Sequence, residues 1–176
     1  NISHVIRGED HISNTPKQML IYKALGWTMP KFGHLPMILG SDGKRLSKRH
    51  GAKGTSEYKD LGYLPDTLIN YLALLGWNPG NDDEIFDFNY LKENFSLDKV
   101  NKKSAVFDNT KLEWVSSQNI FKISAAKLVD IVSEFDPTWC GEGHSLDYLV
   151  NVINLIKDRI KTCLLYTSDA ADDVIS

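Results

Sequence analysis

Four cations fall within six residues, Lys44-Arg45-Leu46-Ser47-Lys48-Arg49, and glycines stand on both sides at Gly40, Gly43, Gly51 and Gly54. Lys and Arg at this density offset the negative charge that builds on phosphoryl oxygens, and glycines let backbone close over a ligand. The apolar run Leu35-Pro36-Met37-Ile38-Leu39 leads into the stretch, and Asp42-Gly43 is a strong turn dipeptide. A strand that feeds a flexible cationic loop presents charge to phosphate. A solvated basic turn, or a Lys/Arg-rich sorting signal, has the same composition. A second polar group, Arg7-Gly8-Glu9-Asp10-His11, follows the apolar pair Val5-Ile6. Open α/β sheets place ligands where a strand runs into a polar loop in this way, although a surface ion-pair cluster would read alike.

The 176 residues suffice for one ordinary domain or two small ones, and 42% hydrophobic with 24% charged residues predicts a packed core. Net charge is −3, which argues against a generally basic nucleic-acid binder. Its distribution is uneven: residues 1–53 carry +6 and four of the five histidines, and the remainder carries −9. An anionic ligand therefore belongs with the first third. Cys140 and Cys163 form neither a disulfide framework nor a metal-ligand pattern, so no zinc is expected. No apolar run approaches the roughly 18 residues that span a membrane.

The elements that must position these groups are mostly legible. Residues 2–8 read as a strand, and Thr15-Pro16 with Gln18 reads as a helix start with a capping box. Met19, Leu20, Ala24 and Leu25 supply that helix's apolar face, Trp27 to Gly33 reads as a loop, and Leu35 to Leu39 reads as a second strand. Strand, helix and strand make a βαβ unit. Beyond Ala52 the pattern is helical. Pro65 opens a helix whose expected buried face is Leu68, Ile69, Leu72 and Leu75. Shorter helices are expected over about 89–95, 97–101 and 109–116, the last capped by Asp108. Phe86, Phe88, Tyr90, Phe95 and Phe107 are expected in the core. Ser124 and Ser145 cap two further amphipathic helices, the second keeping Leu149, Val152, Ile153, Ile156 and Ile160 in register.

Arg45-Leu46-Ser47-Lys48-Arg49 resembles the Lys-Met-Ser-Lys-Ser loop of class I aminoacyl-tRNA synthetases, in the form it takes in bacterial-type glutamyl-tRNA synthetases. His4 to His11, Ser13 to Gln18, Tyr22 to Trp27, Gly62 to Pro65, Asn70 to Trp77 and Ala105 to Asp108 resemble further segments of that family, in family order. The resemblance covers residues 1 to about 120. It implies ATP-dependent activation of L-glutamate and its transfer to the 3′ end of tRNA-Glu, by a cytoplasmic monomer that takes ATP as its magnesium complex.

By the same resemblance, Lys48 contacts the ATP phosphates and Arg45 stands where the motif's first lysine usually is. Arg45, Leu46, Ser47, Lys48 and Arg49 together line the ATP site, with Asp10 and His11 near ribose and adenine. Arg7 resembles the arginine that pairs with a substrate carboxylate. The implied fold is an α/β fragment. Residues 1–53 correspond to the C-terminal half of a Rossmann catalytic domain, 54–120 to a helical stem-contact region, and 121–162 to the start of an all-α anticodon-binding domain. Residues 163–176 resemble the translation of a sequencing adapter and are set outside the fold. The family's other half-site, His-x-Gly-His, is absent, and Gly33-His34-Leu35-Pro36 is no substitute. The chain is thus expected to be an internal piece of a ligase, inactive alone. Three alternatives stand beside this: a glutamyl-Q tRNA(Asp) synthetase-like paralogue, a glutaminyl enzyme, and a non-catalytic tRNA-binding module.

Overall fold

A computed structural model describes residues 2–47, 53–137, 139 and 143–164. It is mixed α/β. Two compact units divide the chain, the first comprising residues 1–52, 75–78 and 96–107 and the second residues 53–74, 79–95 and 108–176.

In the first unit, strand β1 (His4–Gly8), a 3-10 turn (Glu9–Asn14), helix α1 (Thr15–Ala24) and strand β2 (Lys31–Leu35) form the expected βαβ unit. The strands are parallel, and their register sets Val5 opposite Phe32 and Arg7 opposite His34. Side chains alternate across a strand, so Val5, Arg7, Phe32 and His34 share one face and His4, Ile6 and Lys31 the other. The first set is partly covered, whereas Ile6 remains 47% exposed.

Three expectations change here. The second strand is Lys31–Leu35 rather than 35–39, so part of the expected loop is strand. The Val-free sequence Lys-Phe-Gly-His-Leu hides this strand, because one glycine and two cationic-type side chains break its apolar signal. Leu39 pairs only as an isolated bridge, antiparallel to Arg45 and parallel to Val106. Thr15 is the first helical residue rather than the cap. The N-cap position is Asn14, which makes no side-chain cap bond, and no capping box forms with Gln18. Finally, α1 buries none of its residues; Met19, Leu20 and Leu25 are exposed.

The second unit is helical. It contains α2 (Thr55–Asp60), most of α3 (Pro65–Gly76), α4 (Phe88–Asn94), α5 (Asn109–Lys122), α6 (Ala125–Phe135) and α7 (Leu146–Ile156). Leu64, Ile120, Leu128, Val129, Val132, Leu149, Ile153, Ile160 and Cys163 pack into one apolar core. Three caps stand as expected: Asp108 accepts from the N–H groups of Thr110 and Lys111, Ser124 from Lys127, and Ser145 from Tyr148. Helix α5 continues to Lys122, past the expected end at residue 116. Helix α7 stops at Ile156, and Ile160 reaches the core from the turn beyond it. Cys163 belongs to the fold rather than to the excluded tail. Its side chain is 1% exposed, its N–H donates to Gly62 O at 2.8 Å, and burial pushes its thiol up to about 11. Residues 165–176 lie outside the described residues.

The buried side of α3 is more polar than its periodicity predicts. Thr67, Asn70 and Tyr71 are buried while Leu72 is 47% exposed. Asn70 holds the chain at 84–86: its side-chain amide donates to Glu84 O at 2.8 Å and its carbonyl accepts from Phe86 N at 3.3 Å. The Tyr71 hydroxyl donates to Asp108 O and accepts from Asp108 N, both at 2.8 Å, and so fixes the residue that caps α5. Of the five aromatics expected inside, Phe86 is buried, whereas Phe88 and Phe95 are more than half exposed.

Burial holds the Tyr71 hydroxyl in its neutral form and pushes its pKa up to about 12, from 10 in the free side chain. A pKa raised on folding contributes stability below the unfolded value and loses it as pH climbs to the folded one. The contribution of Tyr71 is therefore present below pH 10 and disappears between pH 10 and about 12. Tyr71→Phe should cost about 1–2 kcal/mol at neutral pH, because two partly buried backbone groups of Asp108 lose their partner. It should also flatten the alkaline limb of stability, as urea midpoints measured at neutral and alkaline pH will show.

Candidate functional site

The polar residues after β1 meet the start of the cationic segment. Glu9 accepts from Met37 N at 3.2 Å, tying the 3-10 turn to the chain beyond β2. Asp10 accepts from Arg45 Nη1 at 3.1 Å across 35 residues of sequence. His11 lies beside the same carboxylate, 4.0 Å from its other oxygen, and is exposed. Gly8 makes room for this arrangement. A Cβ there would lie 2.6 Å from Asp10 Oδ1 and 3.3 Å from Met37 Sδ, so a side chain would displace the carboxylate.

The cationic segment starts as a hairpin rather than a free loop. Leu46 N donates to Ile38 O at 2.8 Å, Gly40 N to Lys44 O at 2.7 Å, and Gly43 N to Gly40 O at 3.0 Å. Asp42 Oδ1 accepts from Lys44 N at 3.0 Å in a local Asx turn. Gly43 has φ +74, the left-handed conformation that the Asp-Gly pair predicts. Leu39 also pairs with the strand-like segment at 105–107, its N–H donating to Ala105 O and its carbonyl accepting from Phe107 N, both at 2.8 Å. The hairpin thus rests on a backbone ladder inside its own unit. Arg45 bridges to Leu39 within the ladder and is 65% exposed, and Leu46 and Ser47 follow, half-buried. Lys48, expected to contact the ATP phosphates, and Arg49, expected to line the ATP site, lie outside the described residues.

Arg7 sits apart from Asp10 and Arg45, on the covered face of the two strands. Its Nη2 donates to Thr15 Oγ1 at 2.8 Å and its Nε to His34 Nε2 at 3.4 Å, and its guanidinium lies 5.5 Å from the centre of the Phe32 ring. Thr15, Phe32 and His34 were not singled out by motif. The signal for two of them is the strand register, which cannot be read while β2 is placed four residues late.

The family model for tRNA synthetases class I (E and Q), catalytic domain, matches residues 1–114. The chain belongs to this family. It is 42% identical over 173 residues to glutamate–tRNA ligase 2 of Thermoanaerobacter pseudethanolicus, covering 97% of this chain and 35% of that protein. Over 119 residues it is 58% identical to glutamate–tRNA ligase 1 of Caldicellulosiruptor saccharolyticus, covering 68% of this chain and 24% of the relative. A solved glutamate tRNA ligase from Elizabethkingia meningosepticum, in complex with its amino acid, superposes with TM-score 0.83 at 30% identity. That match covers 92% of this chain and 36% of the other. The synthetase chain thus spans about a third of the length of the curated relative it matches over 97% of its own length. Among the described residues no helix is long and apolar enough to cross a membrane.

Gly43→Ala tests the hairpin. Among the described residues nothing lies within 4 Å of the added Cβ, so the cost taken is that of the left-handed backbone, about 1 kcal/mol. Amide exchange at Gly40 and Leu46 should quicken about fivefold for a cost of that size, with the α5–α7 amides unchanged.

Proposed function

We propose that the chain is part of a glutamate–tRNA ligase, which joins L-glutamate to ATP as an adenylate and passes it to the 3′ end of tRNA-Glu. The observation that carries this reading is the pairing of Asp10 with Arg45 at the mouth of the cationic hairpin. It brings together two segments, His4–His11 and Arg45–Arg49, that the resemblance assigns to one ATP site. ATP enters as its magnesium complex, so the metal arrives with the substrate.

In this reading Lys48 and Arg45 stabilise charge on the departing pyrophosphate. An arginine in place of lysine keeps that charge but presents a planar fork instead of a compact ammonium. Leu46, Ser47 and Arg49 line the same site, with Asp10 and His11 towards the nucleoside, and Arg7 takes a carboxylate of glutamate. Strands β1 and β2 are the C-terminal part of a Rossmann sheet. The uncovered residues Ile6, Leu20 and Leu25 support this, since parallel sheets normally have both faces covered. The rest of the enzyme supplies that cover and the missing His-x-Gly-His half-site. The 54–120 helices contact the tRNA stem, and 121–162 begin the anticodon-binding domain of a cytoplasmic monomer. Identity to Thermoanaerobacter ligase 2 extends over 97% of the chain, helices α6 and α7 included, and favours the ligase over the shorter glutamyl-Q paralogue.

The isolated 176-residue chain should give no glutamate-dependent pyrophosphate exchange, and exchange by this polypeptide alone would refute the half-site assignment. In the full-length enzyme, Lys48→Ala should slow adenylate formation about 100-fold, the scale of one lost transition-state contact, and change tRNA affinity less than threefold. Equal losses in both would make the hairpin a phosphate-docking patch.

A further inference from the structure

Thr15 opens α1 with a hydroxyl suited to capping, yet no side chain caps this helix. The hydroxyl is engaged elsewhere: it accepts from Arg7 Nη2 at 2.8 Å and lies 3.0 Å from His34 Nε2. Arg7 Nε donates to the same histidine nitrogen at 3.4 Å. The Thr15 hydroxyl has one hydrogen and two acceptors within reach, His34 Nε2 at 3.0 Å and His11 O at 3.3 Å, and given to the nearer one it leaves a pattern that satisfies the three contacts of the cluster. His34 carries its ring hydrogen on Nδ1, and Nε2 accepts from both Arg7 Nε and the Thr15 hydroxyl.

The consequence lies in the shape of the guanidinium. Its five N–H groups form a rigid planar fork. Nε and the neighbouring hydrogen of Nη2 make one edge, and that edge is fully used by His34 and Thr15. The end formed by Nη1 and the second hydrogen of Nη2 keeps two parallel donors, the geometry that a single carboxylate accepts bidentately. Phe32 backs the flat face at 5.5 Å, and among the described residues no acid of the chain pairs with Arg7. β2 contributes His34 and Phe32 and α1 contributes Thr15, so three side chains restrain rotation of the fork.

We infer that Thr15 and His34 are positioning residues that aim the free end of Arg7 at the carboxylate of the amino-acid substrate. This rests on the proposed role of Arg7 in binding glutamate. A helix-opening hydroxyl turned to the Arg7 cluster, with the N-cap Asn14 making no side-chain bond, is the kind of local departure found at functional sites. A misaimed guanidinium keeps its charge and loses its two-point geometry, so the defect falls on glutamate and spares ATP.

The test is pyrophosphate exchange by the full-length enzyme, with glutamate and ATP varied separately. His34→Ala should raise the KM for glutamate about tenfold, the scale of one hydrogen bond to a charged group, with the KM for ATP unchanged. His34→Gln, which keeps an acceptor, should recover most of the loss. Thr15→Val, close in shape, reads the second contact if His34→Ala fails to fold. Added to Arg7→Ala, His34→Ala should cost nothing more, since both remove one interaction. Equal rises in both KM values, no rescue by Gln, or additivity with Arg7→Ala would overturn the inference. An Arg7→Ala enzyme with normal glutamate KM would instead remove the assignment of Arg7, and the inference with it.

Discussion

The parallel pairing of β1 with β2 is the constraint on which the first unit depends. It is one register, five residues long, and it decides which side chains share a face. A slip of one residue would turn Arg7 and Val5 to the face of Lys31, away from His34 and Phe32. The same pairing sets the starting points of the two polar segments that follow. Glu9 and Asp10 leave the end of β1, and the chain leaving β2 reaches them through Met37 N and Arg45. Sheet geometry, more than any single ion pair, therefore assembles the site.

In the second unit the corresponding role falls to buried polar groups on α3. An apolar face of Leu68, Ile69 and Leu72 would have packed without fixing anything beyond it. Asn70 and Tyr71 instead bond backbone far away in sequence, at Glu84, Phe86 and Asp108. Such bonds add modest net stability but make misplacement costly, because a buried group left unpaired loses its solvation without compensation. Asp108 shows the coupling most directly. Its backbone is held by Tyr71 while its side chain caps α5. The position of one helix is thereby passed to the start of another.

Local chemistry was legible where local energetics decide the outcome. Asp108, Ser124 and Ser145 cap because a short polar side chain before an amphipathic run has no better use, and Asp42-Gly43 turns because Gly43 must adopt positive φ. The family segments and the charge asymmetry both point to the first third for the proposed site. What escaped the sequence was set by tertiary competition. Thr15 has the credentials of a cap and serves Arg7 instead. Strand β2 carries Gly33 and His34 where a strand signal needs apolar residues, so its register, and with it the Arg7 cluster, could not be read. Leu72 and Phe95 look like core and are exposed, because periodicity gives the direction of a face and not what lies opposite it.

The two arginines of the site are held in different ways, and the difference bears on what each can do. Arg7 is half-buried and engaged by two side chains and a ring. Arg45 is 65% exposed, and Asp10, its ion-pair partner among the described residues, is itself accessible. An exposed pair of this kind is worth about 0–1 kcal/mol. A triphosphate offers several oxygens and more charge, and charge-assisted bonds to it are stronger than that pair. Under the proposed function, Arg45 can exchange Asp10 for phosphate at little cost, and the backbone ladder below it keeps the hairpin from collapsing when it does. Asp10, once released, is free to accept from a nucleoside hydroxyl. Arg7 has no such exchange to make, since its bound edge and its free edge are different parts of one rigid fork. On that proposal the fold gives the carboxylate-binding arginine a fixed aim and the phosphate-binding one a weak tether, which matches a substrate that must be held still beside one whose phosphates must leave.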